Sequence, residues 1–225
     1  MPRRVEREWL DDLPPDDPRA VRCRRDLRII NRMMGNARII GDALAAHLRS
    51  KHPRVAELGA GDGTLVLRIA RKDSDWNGAQ LTFVDQQPVV GEETVAEFAR
   101  RGCTVTLERA DVFDWLGGNG SHYDAIVANL FLHHFEAPQL AELFELAARR
   151  TGLFIASEPA RAWLPLAGSH LVGLLGCNDV TRHDAVLSVR AGFAGDELSQ
   201  LWPQGWELEE GRANAFSHRF VAVKA

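Results

Sequence analysis

E-L-G-A-G-D-G, Glu57 to Gly63, follows the short apolar run Val55 to Leu58 and precedes the helical pattern Thr64 to Arg71. An apolar run, a glycine turn and a helix in succession predict one β-α unit. Glycine lets backbone N–H groups approach a ligand closely, and the helix N-terminus that follows presents those groups with the positive end of its dipole. The glycines fall at 59, 61 and 63, whereas the dinucleotide fingerprint needs its third at 64, which is Thr64. The spacing leans away from a nicotinamide cofactor.

Downstream the rhythm repeats. Gln80 to Val84, Cys103 to Leu107, Ala125 to Leu130 and Leu153 to Ser157 read as further strands, with helices expected over Val89 to Arg101 and Pro138 to Arg150. Alternation at this spacing predicts an α/β, doubly wound, mostly parallel sheet with right-handed crossovers. Trp206 to Glu210 and Ser217 to Val223 are too close together for a crossover helix and are expected as an antiparallel pair at or near a sheet edge, completing seven strands.

Two segments stand outside that rhythm. Residues 1–18 hold four of the ten prolines and many charges, which disfavours a continuous helix and suggests a surface arm anchored by Trp9 and Leu10. Helices are expected over Arg19 to Met34, stopped by Gly35-Asn36, and over Ala37 to Leu48. After Glu158 an apolar segment, Trp163 to Leu175, a polar stretch, Asn178 to Arg190, and a helix near Asp196 to Trp202 are read as an insertion over the site. The expected organisation is residues 1–36 as arm and helical lid, then a domain over 37–225 with a covering insertion at about 159–195.

Composition narrows the partners. With 45% hydrophobic and 26% charged residues in 225, the chain can bury a core, and a formal charge of -4 argues against a broad nucleic-acid footprint. The basic cluster Arg19 to Arg28 has acidic neighbours Asp16, Asp17 and Asp26 and reads as a solvated helix face. Cys23, Cys103 and Cys177 are odd in number and unpaired in spacing, so neither a disulfide framework nor a zinc site is expected, and a cytoplasmic setting fits. No apolar stretch has the length of a signal peptide or membrane span. The expected partner is a small molecule, with no nucleic acid and no membrane, for a monomer or homodimer.

The motifs over residues 54–158 resemble those of class I S-adenosylmethionine-dependent methyltransferases, whose first motif is an acidic residue followed by G-x-G-x-G. The resemblance implies a Rossmann-like fold, the cofactor S-adenosylmethionine and a set of contacts to it. Glu57 would reach the cofactor's amino group, often through water, and Gly59, Gly61 and Gly63 would line its loop. Asp85, closing L-T-F-V-D, would accept from both ribose hydroxyls; Asp111 and Val112, in R-A-D-V-F, would meet the adenine; Asn129, ending D-A-I-V-A-N, would lie beside the methionine part. Taken singly, the glycines could be a structural turn, Asp85 a helix cap and Asp111 a turn residue; their order at successive strand ends favours cofactor binding.

N-L-F-L-H-H-F, Asn129 to Phe135, brings two imidazoles just beyond the fourth strand. Transfer from a sulfonium is an in-line displacement that needs alignment, exclusion of water and, for a hydroxyl acceptor, removal of a proton. His134, His133 and His183 are the candidate bases, with Asp184 able to orient His183; packing beneath the sheet and loop capping are the competing roles. Residues 178–193 resemble the corresponding segment of small bacterial methyltransferases of aromatic or polyketide-type metabolites, quinol-like phenols included. S-E-P-A-R departs from their Asn-Asp-Leu-like turn. The expected reaction is methylation of a phenolic or enolic oxygen of a secondary metabolite. An RNA or protein methyltransferase, a non-catalytic cofactor-binding protein and an oxidoreductase remain as alternatives.

Overall fold

A computed structural model describes residues 1–72, 76–87, 89–118 and 120–225. Among these, β1 (Arg54–Leu58), β2 (Gln80–Asp85), β3 (Thr104–Arg109), β4 (Ala125–Asn129), β5 (Leu153–Pro159), β6 (Trp206–Arg212) and β7 (Ser217–Lys224) form one sheet in the order β3-β2-β1-β4-β5-β7-β6. The first five are parallel; β7 runs antiparallel between β5 and β6. The fold is therefore the doubly wound, Rossmann-like one expected. The chain reverses its direction of winding between β1 and β4, and open sheets of this kind bind ligands in the crevice at such a point.

The helices are α1 (Trp9–Asp12), α2 (Pro18–Met34), α3 (Asn36–His47), α4 (Thr64–Ala70), α5 (Glu92–Arg100), α6 (Val112–Gly117), α7 (Ala137–Ala148), α8 (Trp163–Leu171) and α9 (Asp179–Ala191). Successive strand residues point to opposite faces, so Ala125, Val127, Leu153 and Ile155 pack with α3, α4 and α5, while Ile126, Ala128, Phe154 and Ala156 pack with α6 and α7. Both faces are covered, which is why the central strands read as continuous apolar runs.

Two local expectations are corrected. The polar stretch after Asn178 is the helix α9, capped by Asn178 Oδ1 on the Thr181 N–H at 2.9 Å. Two of its polar residues, Thr181 and Asp184, are buried: Asp26 of α2 accepts from Thr181 Oγ1 at 3.2 Å, and Asp184 accepts from the Trp9 and Leu10 N–H groups at 2.9 and 3.0 Å. The helix expected near Asp196 to Trp202 is a run of turns. The Leu198 and Ser199 N–H groups donate to the Glu210 carboxylate on β6, at 3.0 and 2.7 Å, instead of extending a helical ladder.

The N-terminal arm is held along its length. Arg3 donates to the carbonyls of Ala191 and Phe135 and lies over the Phe193 ring, Arg4 N–H meets the Arg190 carbonyl, and Asp184 caps α1. None of the helices among the described residues is long and apolar enough to cross a membrane.

Candidate functional site

Above the C-terminal ends of β1, β2 and β4 lies a cavity of about 860 Å³, near the upper end of the roughly 300–1,000 Å³ usual for small-molecule pockets. Its floor is the glycine loop and the strand ends; its walls are α2, through Leu27, Ile30, Met33 and Met34, and the region after β5, through Pro165, Leu171, Val172, Ala185 and Val189. The arm closes one side with Glu8, Leu10 and Asp11. Arg24 and Arg28, expected on a solvated face, also line it, and Arg28 Nε stands 3.2 Å from Asp62.

The loop's shape follows from its residues. Gly59, Gly61 and Gly63 have φ of 63°, 54° and 68°, a left-handed conformation that costs glycine nothing. At Gly59 there is a second reason, since a Cβ would overlap the Phe131 ring. Gly61 N–H donates to Asp85 Oδ2 and Gln87 N–H to Asp85 Oδ1, both at 2.8 Å, so this carboxylate fixes the loop and the end of β2 together. Each oxygen keeps a lone pair for a further donor. Asp111 caps α6 through the Phe113 N–H at 2.8 Å and accepts from Gln86 Nε2 at 2.8 Å, with Val112 buried beside it. Asp85, Asp111 and Val112 all line the cavity.

Three acceptors there accept no hydrogen bond among the described residues: Glu57 Oε2, Asn129 Oδ1 and Asp62 Oδ2, the last facing Arg28 Nε at 3.2 Å. Burial, with Asp62 and Asp85 nearby, pushes the Glu57 pKa well above the usual carboxylate range. A buried carboxyl beside two other acids is an unfavourable arrangement unless a cation or donor comes to it. Asn129 is oriented by Asn31 of α2, whose Oδ1 accepts from Asn129 Nδ2 at 3.1 Å and from Asn36 Nδ2 at 2.8 Å. The chain then turns sharply: Leu130 has φ of 50°, an uncommon strain for a branched side chain, and this sets Phe131 over Gly59.

The two adjacent histidines sit in different surroundings. His133 is buried, with Nδ1 2.8 Å from Glu158 Oε2 and Nε2 3.4 Å from Glu8 Oε1. Burial alone would lower its pKa, but the bonds to Glu158 and Glu8 win and raise it to about 9. Burial likewise would raise Glu8, yet His133, His134 and Ser188 hold it at about 2. His133 thus carries a proton at neutral pH and is unsuited to take another. His134 faces the cavity with Nδ1 3.6 Å from Asp11 Oδ2. His183 lies outside that cavity lining; its ring stacks on Trp9 at 3.8 Å and its Nδ1 meets Asp184 at 2.9 Å.

The clamp on His133 makes stability depend on pH. Its folded pKa is raised above the ordinary 6.5, so its contribution is full below about pH 6.5 and is lost as pH rises through about 9. Glu8 has the opposite sign: its contribution is present above about 4.5 and is lost as pH falls toward 2. The melting temperature is expected to be highest between about pH 4.5 and 6.5 where these groups dominate, and to fall from pH 7 to 9.5. The alkaline fall should shrink in His133→Gln, and an equal fall in both proteins would remove His133 as its cause.

Sequence reading missed Glu8, Asp11, Asn31 and Glu158. Only Glu158 carried a usable signal: it lies near the end of a strand buried throughout, Leu153 to Pro159, and a charge there must have partners.

Residues 55–151 match a family model described as a methyltransferase domain. No curated protein sequence matches the chain. Among solved structures, the plantazolicin methyltransferase BpumL in complex with SAH is similar at 13% identity and a TM-score of 0.65, covering 93% of this chain and 92% of that one. The plantazolicin methyltransferase BamL, in complex with a triazolic desmethylPZN analog and SAH, gives 11% identity and a TM-score of 0.66, covering 96% and 93%. Magnesium protoporphyrin IX methyltransferase from Synechocystis PCC 6803, with bound SAM, gives 16% and 0.55, covering 90% and 84%. At such identities the likeness is one of fold.

Proposed function

We propose, from the premise that this chain is a class I S-adenosylmethionine-dependent methyltransferase, that it methylates a small-molecule acceptor at a phenolic or enolic hydroxyl, of the kind found in secondary metabolites. One observation carries the acceptor reading: with His133 locked between Glu8 and Glu158, His134 is the imidazole left facing the cavity, beside Asp11.

The cofactor supplies an electrophilic methyl on a sulfonium. For its binding, Glu57 and Asn129 offer unpaired acceptors suited to an amino group, Asp85 offers its remaining lone pairs to the ribose hydroxyls, and Asp111 and Val112, which line the same cavity, are assigned to the adenine. His134 takes the hydroxyl proton, and Asp11 holds the ring and the positive charge it gains. The apolar walls from α2, α8 and α9 exclude water and suit a hydrophobic ring or chain. A cavity bounded by the arm and the post-β5 segment supports a small molecule over RNA or a folded protein, which would need an open surface.

Calorimetry tests the cofactor part. Both S-adenosylmethionine and its demethylated product are expected to bind, and Asp85→Ala to weaken binding by about 1–3 kcal/mol, the cost of leaving buried donors without their charged acceptor. Unchanged affinity in the variant would take Asp85 out of the site. An acceptor screen with phenols, enols and amines tests the rest; turnover confined to amines would sink the hydroxyl assignment.

A further inference from the structure

We infer that Glu8, His133 and His134 form a binding site for a divalent transition-metal ion of the zinc type at the acceptor end of the cavity. One ligand atom from each lies within 4.8 Å of the other two, and all three residues line the cavity.

Spacing separates this arrangement from a simple ion pair. His133 Nε2 stands 3.4 Å from Glu8 Oε1, beyond the roughly 2.7–2.9 Å to which a charge-assisted N–H···O bond closes. Two ligands each about 2.0–2.1 Å from one tetrahedral ion stand about 3.3–3.4 Å apart. The tight contact is on the other side of the ring, where Nδ1 meets Glu158 at 2.8 Å. A carboxylate on the far nitrogen is the pairing that orients a metal-ligating imidazole and directs its remaining nitrogen to the ion. Glu158 is itself fixed by the Phe131 and Leu132 N–H groups, both at 2.9 Å.

The donor set selects the ion. Two imidazoles and one carboxylate suit zinc, cobalt or nickel, whereas magnesium and calcium prefer oxygen alone. Three protein ligands leave a fourth position for a small molecule, as in catalytic sites. On binding, the proton on His133 Nε2 leaves to solvent and its lone pair goes to the ion. The consequence for catalysis rests on the hydroxyl-acceptor reading and would replace His134 as the base in the ion-loaded protein: the acceptor oxygen would take the fourth position, and the ion would lower its pKa so that its proton is lost to solvent while the electron pair stays on oxygen.

The test uses the full, tag-free chain after chelator dialysis, with neither cofactor nor acceptor present. Titration with Zn²⁺ by calorimetry and with Co²⁺ by visible absorption is expected to show one ion per chain and the intense d–d bands of a tetrahedral site. Glu8→Gln and His134→Ala should each weaken binding by about 100-fold or more, beyond the 10- to 100-fold typical of losing only an orienting partner. His134 is part-exposed, so its variant keeps the fold, as circular dichroism would check. No stoichiometric binding, an affinity in both variants equal to that of the unsubstituted protein, or a thiolate charge-transfer band placing the ion on a cysteine would each overturn the inference. S-adenosylmethionine binding to the same chelated protein tests the methyltransferase reading separately.

Discussion

His134→Gln is expected to lower turnover by about 10²- to 10⁴-fold, the range a positioned general base supplies, while affinity for S-adenosylmethionine changes little. A phenol has a pKa of about 10 and is mostly protonated at neutral pH, so the proton must go somewhere as the oxygen attacks. His133 cannot take it, being held as a cation with a pKa raised to about 9. His183 stacks on Trp9 outside the cavity lining. The variant's rate should climb with pH toward the acceptor's own ionisation and so recover part of the loss under alkaline conditions. Since His134 also belongs to the inferred cation site, the comparison is made in chelated and zinc-loaded protein. A loss in both assigns the imidazole to proton transfer; a loss only in the loaded protein assigns it to coordination. Near-normal rates in both at every pH would end the assignment of His134 and the O-methylation reading with it.

The strands were legible because parallel strands covered on both faces are uninterrupted apolar runs, and Ala125 to Asn129 and Leu153 to Ser157 are of that kind. The glycine loop was legible because left-handed backbone at three alternate positions leaves a compositional trace. Beyond β5 the signal failed for a physical reason. Polar residues of α9 such as Thr181 and Asp184 are buried against α2 and the arm, so their partners, Asp26 and the Trp9 and Leu10 amides, are remote in sequence. Hydrophobic periodicity is blurred in a helix whose buried face mixes Thr181 and Asp184 with Val180, Leu187 and Val189. The same holds at the site: the carboxylates that divide the work between His133 and His134 come from residues 8, 11 and 158, and no spacing in the chain links them.

Glu158→Ala is expected to destabilise the protein by about 3–5 kcal/mol, the cost of removing one partner from a buried ion pair. Glu158 has no solvent exposure and is the penultimate residue of β5, against the turn that follows β4. Its Oε1 accepts from the Phe131 and Leu132 N–H groups, and its Oε2 faces the His133 N–H at 3.4 Å and the His133 ring at 2.8 Å. Truncation would leave three amides without this acceptor and an imidazolium compensated only by Glu8 at longer range. For a chain of this size, where 1 kcal/mol shifts the melting temperature by about 2–4 °C, that is a fall of roughly 6–20 °C. Glu158→Gln, which keeps one carbonyl for the amides, should lose less. Because His133 would then lose its main partner, the alkaline decline in stability should also flatten in Glu158→Ala. A small loss in stability with that decline intact would mean that water or rearranged backbone replaces the carboxylate. In that case the turn carrying Phe131 over Gly59 is held by packing and not by charge.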